Sequence, residues 1–196
     1  MSNITSLFSR LLFAFALVTS TGAAVAVPTT YHIDIDTRAL AGNGYLDLTF
    51  IGFGDAGAAT ATVSNFMGNA SGASDLFGSI TGDLANTAVF QSSSYNYLDQ
   101  LVAFGGMFSF DVLFDFGNTG EATRFDVSLY DMDFAYLGGQ GPVATFNLIP
   151  GQGVSFSVVS QFAEISTAAA VPEPGQWLLM ATGLLLLGAM ARRRTM

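Results

Sequence analysis

Phe108-Ser109-Phe110-Asp111-Val112-Leu113-Phe114-Asp115-Phe116 puts an apolar side chain at every even position, with Ser109, Asp111 and Asp115 in between. Successive side chains of an extended strand point to opposite faces, so this run reads as a strand with one buried aromatic face and one wet face. The same period of two recurs on both sides of it. His32-Ile33-Asp34-Ile35-Asp36 is an early instance; Leu46, Leu48 and Phe50 alternate with Asp47 and Thr49. Phe125, Val127 and Leu129 repeat the pattern, as do Val154, Phe156 and Val158 against Ser155 and Ser157, and residues 59–66 form a weaker, Thr-containing strand. Glycines at 42–44, 117–120 and 138–141 punctuate these runs as turns. Eight or more such strands without an amphipathic helix predict an all-β body, an antiparallel β-sandwich or jelly roll, over residues 27–167. Residues 76–86 fit a strand or a loop equally well.

Composition agrees with this reading. Of 196 residues 51% are hydrophobic, 22 are glycine and 18 are phenylalanine, a balance suited to turns and an aromatic core. About 145 residues between the two ends are enough to bury roughly 68–70% of the unfolded chain's surface. That matters because the chain has no cysteine, which excludes disulfides, thiolate catalysis and Cys-based metal sites. It also has no lysine. Between Val27 and Val171 only Arg38 and Arg124 are basic, against twelve Asp and two Glu, a balance of −12. Such a field repels phosphates and anionic headgroups, so nucleic acid is excluded as a partner.

The two ends read as export signals. Arg10 precedes the apolar run LLFAFALV at 11–18, and small residues then lead to Ala24-Val25-Ala26. These are the parts of a signal peptide, residues 1–26, cut by signal peptidase after Ala26 during export through the Sec machinery. At the other end a small-residue linker reaches Val171-Pro172-Glu173-Pro174, followed by an apolar stretch over 175–191 and then Arg192, Arg193 and Arg194 within the tail 192–196. Seventeen helical residues span about 26 Å, at the lower limit for a bilayer. The three arginines hold the tail on the cytoplasmic side and place the body outside. Both prolines push the residue before them out of helical geometry, so the segment 168–174 is expected to be extended and open to a processing enzyme.

Val171-Pro172-Glu173-Pro174, the short Leu-rich helix and the terminal arginine cluster together resemble the PEP-CTERM sorting domain, over about 26 of 196 residues. The resemblance implies an exosortase, a membrane-embedded cysteine protease, that recognises Pro172-Glu173-Pro174 and removes the helix. The chain would then be a substrate and not an enzyme. It would come from a Gram-negative bacterium that makes exopolysaccharide, be held briefly in the inner membrane and end at the cell surface or in the extracellular matrix.

Chemistry is sparse in the body. No Gly-x-Ser-x-Gly elbow, phosphate loop or HExxH motif occurs. His32 stands two residues from Asp34 on one polar strand face, a position that suits a solvated histidine better than a metal ligand. The acid pairs Asp111/Asp115 and Asp131/Asp133, each expected on one face of a strand, are candidate calcium ligands, because oxygen-only ligation by carboxylates suits Ca²⁺, although no twelve-residue calcium loop is present. Tyr95, Tyr97, Tyr130 and Tyr136 are candidates for stacking on sugar rings, and an exopolysaccharide is the ligand this would imply. The expectation is a non-enzymatic exported surface or matrix protein, with carbohydrate binding, stabilised by calcium, as the alternative.

Overall fold

The computed structural model describes residues 29–92 and 95–167, together with Gly183. The signal peptide, the motif at Val171-Pro172-Glu173-Pro174 and the arginine tail lie outside the described residues, as does all of the apolar stretch except Gly183. Among the described residues no helix is long and apolar enough to cross a membrane.

The described residues of the body form twelve strands. They are β1 (Thr30–Asp36), β2 (Asn43–Gly52), β3 (Ala59–Met67), β4 (Ala70–Phe77), β5 (Ile80–Gly82) and β6 (Thr87–Gln91). After them come β7 (Tyr95–Ala103), β8 (Met107–Phe116), β9 (Thr123–Tyr130), β10 (Ala144–Ile149), β11 (Gly153–Val158) and β12 (Ala163–Thr167). They form two six-stranded sheets, ordered β12-β1-β8-β3-β6-β5 and β11-β10-β9-β2-β7-β4. The ladders between strands are antiparallel in both sheets. The chain passes from one sheet to the other repeatedly, so the body is an all-β sandwich of the kind the strand periodicity predicts.

The alternation places the core between the sheets. Phe108, Phe110, Val112 and Phe114 of β8 are buried, as are Ile33 and Ile35 of β1 and Leu46, Leu48 and Phe50 of β2. Aromatic rings join the layers. Phe125 of β9 meets Phe114 and Phe90 of the first sheet at ring-centroid distances of 5.6 and 5.8 Å, and Tyr31 of β1 meets Phe146 of β10 at 5.2 Å. Tilted and edge-to-face pairs of this kind add about 0.5–1.5 kcal/mol each beyond their area burial.

Local chemistry fixes the connections. Between β10 and β11, Pro150 and Gly151 occupy the two central turn positions and Gln152 N–H donates to Ile149 C=O at 2.9 Å. Gly151 has φ +73, which the second central position of this turn requires and which glycine supplies without strain.

Residues 76–86 contain the end of β4 and the three residues of β5, with turns around them. Asp131 and Asp133 lie beyond the end of β9, in a turn and not on a strand face. The Asp131 carboxylate explains that turn, because Oδ1 accepts from Asp133 N–H and Ala135 N–H, both at 2.9 Å, and so ends the strand.

Candidate functional site

The two outer faces differ. On the first sheet, Thr30, His32, Asp34 and Asp36 of β1 and Ser109, Asp111 and Leu113 of β8 face outward and stay partly solvated. His32 Nδ1 lies 2.6 Å from Asp111 Oδ1, and Asn65 Nδ2 donates to Asp111 Oδ2 at 2.7 Å. The hydrogen bond to Asp111 raises the His32 pKa, while the bond from Asn65, helped by His32, lowers that of Asp111.

On the second sheet the middle outward positions of β2 and β9 are buried as well. Asp47, Thr49, Asp126 and Ser128 are only 2–6% exposed, although they point away from the core. Strand register sets these side chains in rows. One row runs Ser128, Asp47, Asp99, Asp75 across β9, β2, β7 and β4. The next runs Thr145, Asp126, Thr49, Tyr97, Phe77 from β10 to β4.

Two aromatic groups stand over these rows. At the β7–β4 side, Phe77 stacks on Tyr97 with centroids 5.4 Å apart and planes 10° apart, beside Tyr95. At the opposite end, Phe134 stacks on Tyr45 at 4.7 Å and 11°, and Tyr136 lies 4.6 Å from Tyr130. The turn that Asp131 caps puts Phe134 there, with its backbone held at φ +60, a left-handed conformation that a bulky residue adopts only under constraint. Phe77, Phe134, Tyr95 and Tyr136 are 42–56% exposed, so their rings are free to meet a ligand while the polar floor is sheltered.

The electrostatics follow from that shelter. Burial, with the charge of Asp99 as the next cause, pushes the Asp47 carboxyl up to about 8, against the hydrogen bonds donated by Thr49 Oγ1 at 2.9 and 3.0 Å. Burial also raises Asp99 and Asp126. Thr145 Oγ1 donates to Asp126 Oδ1 at 2.7 Å. Arg124 Nε lies 2.8 Å from Asp126 Oδ2, a charge contact whose N–H is not aligned as a hydrogen bond.

Of the residues singled out in the sequence, all four tyrosines lie on or beside this face. The calcium candidates are not brought together. Asp111 and Asp115 belong to β8 of the first sheet, where Asp115 lines an open cavity of about 450 Å³ with Thr60, Gln91, Ser92 and Gly117. Asp131 and Asp133 sit in the turn after β9 of the second sheet. Among the described residues no group of three or more His, Asp and Glu side chains is arranged to hold a metal ion. Sequence reading passed over Asp47, Asp99, Asp126, Tyr45, Phe77 and Phe134. The signal for some of them was present: Tyr45-x-Asp47-x-Thr49 and Tyr95-x-Tyr97-x-Asp99 each put aromatic and polar groups on one strand face.

The family model described as the PEP-CTERM protein-sorting motif matches residues 170–194. The chain carries a PEP-CTERM sorting motif. The match covers Val171-Pro172-Glu173-Pro174, the apolar stretch and the three arginines, and it marks an exported protein processed by an exosortase at the membrane. The PEP-CTERM motif lies wholly outside the β body. No curated protein and no solved structure matches the chain.

Proposed function

We propose that this PEP-CTERM chain is a non-enzymatic surface or extracellular matrix protein whose body binds a polysaccharide on the outer face of the second sheet. The observation that carries this reading is the pair of half-exposed aromatic groups, Phe77/Tyr97/Tyr95 and Tyr45/Phe134/Tyr136, on either side of a sheltered floor of hydroxyl and carboxyl groups. Ring faces stack on the C–H faces of sugars, while the exposed Asp75 and half-buried Asp99 carboxyls at the edge of the floor accept hydrogen bonds from sugar hydroxyls. With fourteen acids and two arginines in the body, the partner is a neutral or amino-bearing polymer and not a polyanion.

Binding fits this geometry better than hydrolysis. A glycosidase holds two carboxyls about 5–9.5 Å apart across the scissile bond. Here Asp47 is 6% exposed and its carboxyl hydrogen-bonds that of Asp99, which leaves no space for a substrate between them.

Gel electrophoresis through dextran, xylan, galactomannan and chitosan tests the reading. At least one polymer should retard the protein, and Tyr97→Ala or Tyr136→Ala should weaken that binding by about 2–10-fold each, as expected for loss of one aromatic contact. Equal mobility with and without all four polymers would remove the proposal. The intact mass of protein recovered from the producer's surface and medium tests the delivery half. A species running from Val27 to the Val171-Pro172-Glu173-Pro174 region fits a processed matrix protein, and one that retains Arg192, Arg193 and Arg194 in the membrane contradicts it.

A further inference from the structure

Two open sheets have four edge strands, and natural sheets blunt such edges with short strands, bulges or charges to prevent pairing with other chains. Three of the four edges follow this rule. β5 is three residues long, β4 has a register shift between Ala70 and Ser74 and carries Asp75, and β12 carries Glu164. β11 has none of these devices. It pairs in unbroken register with β10, from Gly153↔Ile149 to Val158↔Ala144, and contains neither charge nor proline. Residues 134–163 as a whole contain no Asp, Glu, Lys or Arg, so this flank is a neutral surface on a strongly acidic body.

The sequence of β11 also specifies a partner. Val154-Ser155-Phe156-Ser157-Val158 reads the same in both directions about Phe156. In an antiparallel pair, directly opposed residues share a face, so a strand with this pattern is complementary to itself across a two-fold axis. We propose that β11 pairs antiparallel with β11 of a second copy, centred on Phe156 opposite Phe156.

In that register Val154 stands opposite Val158 of the partner on the core side, and Ser155 opposite Ser157 on the outer side. Phe156 already packs on Tyr31 and Phe146 through one side of its ring, at 5.8 Å each, yet it remains 44% exposed, with Val158 at 40% and the adjoining Val159 at 72%. The pairing covers this apolar strip and satisfies the edge's outward N–H and C=O groups, joining two six-stranded sheets into one of twelve. Self-repulsion between acidic copies is smallest at the neutral flank, which favours this edge over the other three. The proposal does not depend on the polysaccharide reading.

Because the chain has no cysteine, register is testable by introducing thiols into the full chain in detergent micelles. On oxidation, Phe156→Cys should form a covalent dimer. Ser155→Cys alone should not, whereas Ser155→Cys combined with Ser157→Cys should. The pair Ser155→Lys with Ser157→Lys, on the solvent side of the edge, sets lysine opposite lysine and should reduce the protein's sedimenting mass from dimer to monomer and make its melting temperature independent of protein concentration. Three results would each overturn the proposal: a monomer for the unaltered chain, cross-linking by Ser155→Cys as fast as by Phe156→Cys, or a dimer that survives the two lysines. A lysine variant that fails to fold leaves the thiol pattern to decide.

Discussion

The outer faces of the two sheets are written in the same alternating pattern and have acquired opposite chemistry. On the first sheet, Asp111 lies beside His32 and Asn65 in partly solvated surroundings, and its carboxyl is held below the ordinary range. On the second, Asp47 occupies the equivalent kind of position on its strand, and its carboxyl is pushed up to about 8. The difference is not the strand. It is what lies above: the capped turn after β9 brings Phe134 and Tyr136 over one end of the second sheet, and β4 brings Phe77 and Asp75 against Tyr97 and Asp99 at its other side. A carboxyl loses hydration when neighbours cover it, and a second carboxyl alongside adds repulsion, so both effects favour the proton.

The largest effect should come from removing the support common to both faces. Phe125 packs against Phe50, Phe90, Phe114 and Phe146 between the sheets, so Phe125→Ala should cost about 3–5 kcal/mol in urea unfolding. A loss below about 1 kcal/mol would mean that the two faces do not share one core. The next effect separates the faces. A carboxyl with a raised folded pKa keeps its proton in the folded chain after the unfolded chain has released it, so folding stability falls as pH rises from about 4 towards 8. Asp47, Asp99 and Asp126 all act in this direction, which places maximal stability in mild acid. Asp47→Asn removes the largest of these burdens while keeping the side chain's shape. It should stabilise the protein by about 2–4 kcal/mol at pH 8 and by little at pH 4, as read from melts at the two pH values. Equal effects at both would show that Asp47 is ionised normally.

How much of this the sequence disclosed depends on which side of a strand is considered. The inward face was legible in β8, β1, β2, β9 and β11 because Phe, Ile, Val and Leu recur there at period two. β7 was not, since two of its inward positions are Asn96 and Gln100. These amides are buried because they are satisfied: Asn96 Nδ2 donates to Phe50 C=O and Gln91 C=O at 3.0 and 2.9 Å, and Gln100 Oε1 accepts from Ser74 at 2.6 Å. Phe50 and Ser74 lie 46 and 26 positions away, a distance no local pattern records. The outward face was legible as polar but not as buried, because the cover over Asp47 comes from residues about 30 to 90 positions away. The sorting motif shows the opposite case. Its parts are contiguous and act in the order written, and no fold is needed to read them.

The smallest effect concerns the first sheet and bounds the comparison from the other side. The His32–Asp111 pair has side chains 40% and 24% exposed, so solvent screens it, and it is worth at most about 1 kcal/mol. Its pH window follows from the two shifts. The raised His32 pKa gives stability that is fully present below the ordinary value of 6.5 and is lost as pH rises through the folded value; the lowered Asp111 pKa gives stability that is lost as pH falls below the ordinary carboxyl range. His32→Ala should therefore cost about 0.5–1 kcal/mol near pH 5 and progressively less as pH rises through the raised folded value. Measured together with Asp47→Asn, it gives pH profiles with opposite consequences: one variant is weakened in acid, the other is strengthened in base. If His32→Ala instead lowered stability equally at pH 5 and pH 8, the ring would be acting through packing and not charge, and the contrast between a solvated face and a sheltered one would lose its first half.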